Sequence, residues 1–438
     1  MRDIFRRIVV VILQWEAKAV LKRYKPSIIG ITGTVGKTST KEAVYTALSQ
    51  FESVRRSPKS FNSDFGVPLA ILGQKGPADV TDMAGWLKVF LEGLIVLIFP
   101  HHYPRWLILE IGTDRPGDIR ELTQWIKPDV VIVTKLAEVP VHVEAFGSPE
   151  DLFAEKAHLV KALKPGGTLI LNADDSDVVA FRNYSEERVI LFGNSAGSDV
   201  SAANYKIIYD DKKIPRGVQF EVFTAGHESE PVTVALSGTL GESHAYHVLA
   251  ALSVIKLLNE NMAAAAKSFS RESPPPGRVR IIEGLKDSII IDDTYNSSPV
   301  AVEEALKILK SVRLPVRGGR RIAILGDMLE LGRYTIDAHK NIGKKAAKIA
   351  DLLAVVGIRS RATVEEARSA GLGESEVFHF DDSIEAGKFM KDLIKKGDII
   401  LVKGSQGMRM ERVVEELMAH PEDKEKLLVR QDEEWRNR

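Results

Sequence analysis

The sequence predicts an α/β protein built from two doubly wound domains, and three observations carry that expectation. Short β-branched runs alternate with helical periods from Ser27 to Asp175 and again from Ser288 to Leu417, the pattern of parallel sheets with crossover helices. One such run, Ile28–Ile31, leads straight into the glycine loop Gly33-Thr34-Val35-Gly36-Lys37-Thr38 and then a helix. Between the two alternating stretches stands Ser273-Pro274-Pro275-Pro276-Gly277, which fits inside neither regular element because proline lacks a backbone donor and fixes φ. A chain of 438 residues has room for both domains.

In chain order, Ile28–Ile31, Leu107–Ile111, Val130–Val133 and Thr168–Leu171 read as strands of the first sheet, with helices over Lys37–Gln50, Ile119–Trp125 and Pro149–Leu163. From about Arg188 to Gly241 short alternating segments with turns at Asp210-Asp211 and Gly226 predict a small, mostly antiparallel sheet, and Ala245–Leu258 restores a helix. Beyond the proline cluster, strands are expected at Ser288–Ile291, Arg321–Leu325, Leu352–Val356 and Asp398–Val402. Helices are expected at Ala301–Val312, Asp337–Ala350, Ile384–Leu393 and Met410–Leu417. The charge-dense residues from Pro421 onward read as a solvated helix or tail. The expected domains are residues 1–26, a basic amphipathic helix; 27–277, with a hydrophobic insertion at about 73–105; and 278–438.

Composition excludes several classes. With 44% hydrophobic and 27% charged residues the chain is an ordinary globular one. Sixty basic residues balance sixty acidic ones, which removes the bulk electrostatic case for a nucleic-acid partner. The absence of cysteine excludes disulfides, thiol catalysis and thiolate zinc sites. The charge is uneven, however: Met1–Lys25 carries seven basic residues against two acids, so it is +5 and the remainder −5. Its apolar run Ile8–Leu13 ends at Gln14 and Glu16, too short for the core of a signal peptide. Trp86–Phe99 is interrupted by Lys88 and Glu92 and stops at Pro100, short of the ~20 residues a membrane span requires. Arg7, Gln14, Lys18 and Lys22 are expected on one face of the first helix, with Ile8, Ile12, Trp15 and Ala19 on the apolar side.

The strand-loop-helix at 28–39 carries the chemistry. Backbone N–H groups of such a loop cradle phosphates, Lys37 is placed to reach the β- and γ-phosphates, and the Thr38 hydroxyl is placed to bind Mg²⁺. The general P-loop has glycine where Ile31 stands, so this is a variant of that loop. Glu110 ends an apolar strand with a carboxylate, the position where doubly wound sheets present ligand-binding groups.

Thr32-Gly33-Thr34-Val35-Gly36-Lys37-Thr38 resembles the nucleotide loop of the Mur ligases, ATP-dependent amide-bond-forming enzymes of peptidoglycan synthesis. Further segments resemble that family's D-alanyl-D-alanine-adding branch: Asn62-Ser63-Asp64-Phe65-Gly66-Val67-Pro68-Leu69, Leu109-Glu110-Ile111-Gly112, Asp292-Asp293-Thr294-Tyr295-Asn296-Ser297-Ser298-Pro299, Leu325-Gly326-Asp327-Met328-Leu329-Glu330-Leu331-Gly332 and Lys403-Gly404-Ser405-Gln406-Gly407-Met408-Arg409-Met410-Glu411. They occur in family order from about residue 27 to 418. The resemblance implies a P-loop central domain followed by a Rossmann-like carboxy-terminal domain, with ATP and Mg²⁺ as cofactors. It implies ATP contacts at Gly33, Thr34, Gly36, Lys37, Thr38, Ser39, His247, Arg278 and Asp293, and Mg²⁺ at Thr38, Glu110, His142 and a carbamylated Lys156. Lys37, Lys156, His142 and Arg278 are the implied catalytic set; Asn62, Asp327, Lys403, Ser405 and Arg409 are the implied substrate-binding set. Tyr295 and His339 are weaker candidates, read as packing. The adjacent carboxylates Asp292 and Asp293 also suit a helix cap before Ala301–Val312.

Four departures qualify the resemblance. Gly241-Glu242-Ser243-His244-Ala245-Tyr246-His247 has histidines where the family's adenine-side His-Asn-x-x-Asn pattern has asparagines, and imidazole lacks the paired donor and acceptor of an amide. Lys135 follows Thr134 where asparagine is usual, and Gln406 replaces a usual arginine. Only 26 residues precede the first strand, where the family carries a separate uridine-nucleotide-gripping domain. The expected partners are a peptidoglycan precursor and D-alanyl-D-alanine, with no nucleic acid. The expected location is the cytoplasm, with peripheral contact at the inner membrane face through residues 1–25 and 86–99. Ligases of pseudomurein, cyanophycin or folylpolyglutamate type, and a nucleotide-binding scaffold without turnover, remain alternatives at this level.

Overall fold

The computed structural model describes residues 2–58, 64–77, 79, 81–99, 102–137, 143–226, 230–271, 273–432 and 435, with side chains from Phe5. The chain opens with helix α1 (Arg2–Tyr24), strand β1 (Ser27–Thr32), α2 (Lys37–Leu48), β2 (Val54–Arg56), α3 (Gly66–Leu72) and α4 (Met83–Ile98). Next come β3 (Trp106–Glu110), α5 (Asp118–Thr123), β4 (Val130–Val133), α6 (Val143–Phe146), α7 (Pro149–Lys161), β5 (Thr168–Asn172) and α8 (Ser176–Val179). Strands β6 (Arg188–Phe192), β7 (Val200–Tyr209), β8 (Pro215–Thr224) and β9 (Val232–Ser237) lead to α9 (Ser243–Leu257) and α10 (Met262–Ser268).

These strands form one nine-stranded sheet in the order β2-β3-β1-β4-β5-β6-β7-β8-β9. It is parallel as far as β7 and antiparallel from β7 to β9. The antiparallel segment expected from the sequence is therefore the edge of the large sheet rather than a sheet of its own, joined to it by the Phe192↔Val200 pair. Side chains alternate across the pleat. Ile28, Leu107, Leu109, Val131 and Val133 face one core with α1, α3, α4, α5 and α7. Ile29, Ile31, Ile108, Val130 and Ile132 face the other, with α2 and α9.

The second half runs β10 (Arg280–Gly284), β11 (Ser288–Asp293), α11 (Pro299–Ser311), β12 (Arg321–Gly326), α12 (Thr335–Ala346), β13 (Leu352–Val356), α13 (Arg361–Ser369), β14 (Val377–Phe380), α14 (Ser383–Leu393), β15 (Ile399–Lys403), α15 (Glu411–Leu417) and α16 (Lys424–Leu427). Its six strands are ordered β10-β11-β15-β12-β13-β14, with only β10 antiparallel. The edge strands β10 and β14 went unread in the sequence. Arg280–Gly284 interrupts its apolar pair with charge, and Val377–Phe380 is four residues long, so neither shows a period.

Three expectations are corrected. The first concerns α1, whose expected apolar positions Ile8, Ile12, Trp15 and Ala19 do not share one environment: the helix buries Val9, Leu13, Glu16, Ala17 and Val20, half-buries Ile12 and Ala19, and leaves Ile8, Val11 and Trp15 more than half exposed. Every residue from Ile8 to Leu13 is apolar, so periodicity alone does not select a side there, and α3 and α4 do. The second concerns the residues after Pro421, which are not wholly solvated: Leu428 is buried, and the Arg430 guanidinium pairs with Glu411 at 2.9 Å and donates to the carbonyls of Thr294 and Tyr295. The third concerns the cap of α11, which is Ser298, whose hydroxyl accepts from the Ala301 N–H, and not the Asp292–Asp293 pair.

Asp292 has a different task. Its carboxylate accepts from the N–H groups of Gly277 and Thr294 and from the Thr294 hydroxyl, tying the proline linker to the end of β11. Gly277 has φ +66, and a Cβ there would lie 2.9 Å from the Tyr295 nitrogen. The linker can close on the strand only at a residue with no side chain.

The Glu16 carboxyl is 1% exposed against α4, where a Cβ on Gly93 would meet Oε2 at 2.3 Å, and Oε2 has no hydrogen-bond partner among the described residues. Burial pushes this acid up to about 7. A folded-state value raised above the unfolded one means the carboxyl contributes stability below about pH 4.5 that is lost as pH rises through 7. Chemical denaturation of the wild type between those values is expected to lose on the order of 1–3 kcal/mol that Glu16→Gln retains.

Candidate active site

The carboxyl ends of β1, β3 and β4 converge on the phosphate loop. Residues 33–36 turn between β1 and α2 with Gly33 at φ +142 and Gly36 at φ +88. Neither position has room for a side chain: a Cβ on Gly33 would meet Thr134 Oγ1 at 2.1 Å, and one on Gly36 would meet His247 Cε1 at 2.6 Å. Thr134 donates its hydroxyl to the Val35 carbonyl at 2.7 Å, and the Lys135 carbonyl accepts from the N–H groups of Thr34 and Val35. The loop is thus pinned to the end of β4. The first turn of α2, with Thr38 and Ser39, keeps the free N–H groups that suit an anion.

Lys37 folds its ammonium onto the loop carbonyls of Gly33 at 2.9 Å and Thr34 at 3.4 Å. Burial holds it below the ordinary lysine range, the nearby Glu110 opposes that shift and Arg278 adds to it. The Thr38 hydroxyl lies 3.2 and 3.0 Å from the two carboxylate oxygens of Glu110. This meeting follows from the register Ile31↔Glu110 between β1 and β3, which sets the carboxylate beside the strand that feeds the loop.

Lys156, on α7, is 3% exposed. Burial lowers it to about 7, the positive charge of Lys37 lowers it further, and Glu155 and Asp114 pull the other way. Its neighbour Glu155 faces a separate task. Its carboxylate accepts from the N–H groups of Gly117, Ile119 and Arg120 and so caps α5.

From the second half, Arg278 follows the linker and stacks 3.9 Å from the Tyr295 ring centroid. Its positive charge lowers Lys37, His244 and His247 alike; the carbonyl of the next residue, Val279, is tied through the Thr239 hydroxyl to His244, whose ring lies 5.7 Å from that of His247; and its buried Nε has no partner among the described residues. The Thr34 hydroxyl is a second buried polar atom without a partner there. Two unpartnered buried donors beside a glycine loop and a lysine fit a phosphate chain. For Mg²⁺, the touching hydroxyl and carboxylate of Thr38 and Glu110 supply the hard oxygen donors that ion takes. Among the described residues no group of three or more His, Cys, Asp or Glu side chains is arranged to hold a metal, and Mg²⁺ bound with a nucleotide keeps few protein ligands.

His244 and His247 are both neutral. Burial brings His244 down to about 4 with Arg278 contributing, and brings His247 down to about 3 with His244 and Arg278 contributing. Thr239 donates its hydroxyl to the Val279 carbonyl, so at 2.9 Å it accepts from His244 Nε2, which carries the proton. His247 packs on the phosphate loop and shares a hydrogen bond of 3.1 Å with the Thr40 hydroxyl. Lys135 reaches across the two halves to Glu304 on α11 at 2.5 Å.

The remaining expected residues gather at the ends of β11, β12 and β15. Asp293 and Lys403 are paired with each other at 2.6 Å, as the register Asp293↔Lys403 dictates. Asp327 accepts from Ser360, through both its N–H and hydroxyl, and from the Arg359 N–H, so its carboxylate is engaged within the fold. Ser405 lies beside it and accepts from the Leu329 N–H. Arg409, in a left-handed conformation at φ 52, donates to Glu411 at 2.6 Å and to the Trp435 carbonyl at 2.9 Å. His339 is held inside the fold, accepting from the Met328 N–H and bonded to the Thr335 carbonyl. Asn62 and His142 lie outside the described residues.

Sequence reading passed over Lys41 and Tyr246. Lys41 is fully buried, with its ammonium 3.7 Å from Glu110 and 3.4 Å from Glu42, and adds a second cation behind the carboxylate. Its signal was a lysine one turn after Lys37 on the same helix, in line with Val44 and Leu48. The Tyr246 hydroxyl donates to Asp174 at the end of β5 at 2.7 Å.

Residues 96–255 match the Mur ligase middle domain, and residues 277–406 match the domain described as "Mur ligase, glutamate ligase domain". A UDP-N-acetylmuramoyl-tripeptide–D-alanyl-D-alanine ligase of Bacillus subtilis is 26% identical over 411 residues, covering 93% of this chain and 79% of that protein. The enzyme of the same name from Escherichia coli is 27% identical over 409 residues, covering 92% and 79%. The crystal structure of a MurF ligase from Thermotoga maritima in complex with ADP superimposes with a TM-score of 0.74 at 25% identity, covering 95% of this chain and 84% of that one.

Substituting Gly36 tests the loop directly. Gly36→Ala is expected to weaken binding of Mg·ATP in calorimetry by about tenfold or more, through backbone strain and the contact with His247. The double change Gly36→Ala/His247→Ala should regain part of that loss, because it removes the contact and leaves only the strain.

Proposed function

The chain belongs to the Mur ligase family, and from that premise we propose that it is the ATP-dependent ligase that adds D-alanyl-D-alanine to a UDP-N-acetylmuramoyl-tripeptide in peptidoglycan precursor synthesis. The observation that carries this reading is the convergence of Lys37, folded onto the glycine loop, with the touching pair Thr38 and Glu110, and it is supported by Arg278, whose positive charge lowers Lys37.

A carboxylate is a poor acyl donor because its leaving group would be an oxide. In the proposed reaction a carboxylate oxygen of the tripeptide attacks the γ-phosphorus of ATP, the bond to the β-phosphate oxygen breaks, and ADP departs. The acyl phosphate so formed is attacked at its carbonyl carbon by the free amine of D-alanyl-D-alanine. Phosphate leaves with the bonding pair, and the amine gives up a proton as the amide forms. Lys37 and Arg278 neutralise charge on the transferring phosphoryl group, and the N–H groups at the start of α2 hold the phosphates that remain. Mg²⁺ would be held by Thr38 and Glu110, with His142 and a carbamylated Lys156, and supplies further neutralisation of the β- and γ-phosphates. We assign ATP contacts to Gly33, Thr34, Gly36, Ser39, His247 and Asp293, and peptide contacts to Asn62, Asp327, Lys403, Ser405 and Arg409. The buried Arg278 Nε and Thr34 hydroxyl, both without a partner among the described residues, support a site from which water is excluded while the acyl phosphate exists. An enzyme that consumes ATP and a UDP-linked precursor works, in this proposal, in the cytoplasm.

Carbamylation needs a neutral amine to attack carbon dioxide, and the lowered value of about 7 at Lys156 supplies one at neutral pH. Carbon-13 bicarbonate should therefore give a carbamate resonance that is absent from Lys156→Arg. The signal should fall as pH drops below about 7, where the amine is protonated. A wild type without that resonance at pH 8 would remove Lys156 from the ligand set.

The activity itself is tested by phosphate release from Mg·ATP with UDP-N-acetylmuramoyl-tripeptide, with and without D-alanyl-D-alanine. Release only with both, together with the pentapeptide product by mass spectrometry, is expected, and Lys37→Ala should lower it by roughly 10²–10³-fold. No release with both substrates present would overturn the assignment.

A further inference from the structure

Half of the large hydrophobic side chains left exposed among the described residues belong to two helices, α1 and α4. On α4, Met83, Leu87, Leu91, Ile95 and Ile98 recur at helical spacing and are each more than half exposed; Ile8, Val11 and Trp15 do the same on α1. The two helices lie side by side. The Tyr24 hydroxyl donates to the Val96 carbonyl at 2.7 Å, Arg23 donates to the Leu97 carbonyl, and Glu16 packs on Gly93. With their inner flanks committed to one core, the two neighbouring helices leave eight large apolar side chains exposed to water, and clustered exposed apolar side chains mark interaction sites.

A second observation adjoins it. Beneath the carboxyl end of α1 is a cleft of about 420 Å³ lined by Lys18, Lys22, Lys25, Lys127, Lys164 and Trp125. Lys164 is paired with Asp129 at 2.8 Å, Lys127 is bonded to the Thr123 carbonyl, and Lys18 lies over the Trp125 ring. Lys22 and Lys25 have no ion-pair partner among the described residues. Lys18 and Lys22 also stand on the exposed side of α1, one and two turns beyond Trp15. With Lys164 neutralised by Asp129, Lys18, Lys22, Lys25 and Lys127 still leave a concentrated positive field around one cleft in a chain whose net charge is zero.

We propose that the outer face of α1 and α4, with this lysine cleft at its edge, docks the protein on an anionic phospholipid bilayer. The apolar side chains enter the headgroup boundary, and Lys18, Lys22 and Lys25 meet lipid phosphates. Neither helix spans: no helix of the described residues is long and apolar enough to cross a membrane, and one flank of each is sealed against protein. An apolar helix pair with basic residues along its rim lies in the interface plane. Charge argues for lipid as the occupant, because the basic side chains of Lys18, Lys22 and Lys25 at the edge of an apolar face match the anionic headgroups that border a bilayer's hydrocarbon. The cleft borders the amino end of β1, at Pro26 and Ile28, whereas the phosphate loop leaves the carboxyl end, so docking leaves the nucleotide site open.

Flotation of the full chain with vesicles of phosphatidylglycerol and phosphatidylethanolamine, against phosphatidylcholine alone, tests this. Strong retention on the anionic vesicles is expected. Trp15→Glu/Leu91→Glu and Lys18→Glu/Lys22→Glu should each reduce it by about tenfold or more, while phosphate release without vesicles stays at the wild-type rate because none of these residues lies near the phosphate loop. No flotation of the wild type, equal retention on the neutral vesicles, or a dimer in sedimentation equilibrium that Trp15→Glu/Leu91→Glu dissolves would each overturn the proposal. The vesicle readout does not use substrate, so its failure would leave the ligase assignment untouched.

Discussion

Parallel pairing of β1 with β3 is the constraint on which the rest of the site depends. Its register sets Glu110 opposite Ile31, two residues before the first glycine of the loop, so the carboxylate at the end of β3 and the Thr38 hydroxyl at the start of α2 arrive at one point from segments remote in sequence. A shift of one residue would turn Glu110 to the other face of the sheet. The core opposes such a shift because Leu107 and Leu109 face one cluster while Trp106 and Ile108 face the other. The hydrophobic alternation of a five-residue strand therefore fixes where an anionic group sits.

The same logic recurs in the second sheet, where β11 and β15 bring Asp293 and Lys403 together. There the neighbouring carboxylate, Asp292, holds the linker through Gly277. Two adjacent acids at one strand end thus point to opposite faces with different tasks, one holding the linker and one pairing with Lys403. Glu155 and Lys156 divide their work likewise on α7, the first capping α5 and the second turned toward Lys37. In each case adjacency in sequence hides a separation in space that the pleat or the helical turn creates.

The fold class was legible in the chain because α/β alternation is a local signal, repeated often enough to survive individual misreadings. The phosphate loop was legible because glycine, lysine and threonine at that spacing have few other uses. Resemblance added candidates that no period announces, such as Lys156 and Arg278, and the positive charges of Lys37 and Lys156, and of Arg278 and Lys37, act on one another in the fold. It placed Asp327 among ligand-binding groups without revealing that Ser360 and Arg359 already occupy its oxygens. Lys41 was missed because a lysine at a buried helical position looks like any surface lysine until Glu110 is placed beside it.

The sequence alone determined the alternation of elements, the break at the prolines, the glycine loop and the basic character of the first helix. Only the tertiary structure decided which side of that helix meets the core. From Ile8 to Leu13 every residue is apolar, so no period distinguishes an inner face from an outer one. The choice fell to α3 and α4, which bury Val9, Leu13 and Val20 and leave Ile8, Val11 and Trp15 outside. Burial is a property of pairs of surfaces, and a single segment of chain carries only one of the two.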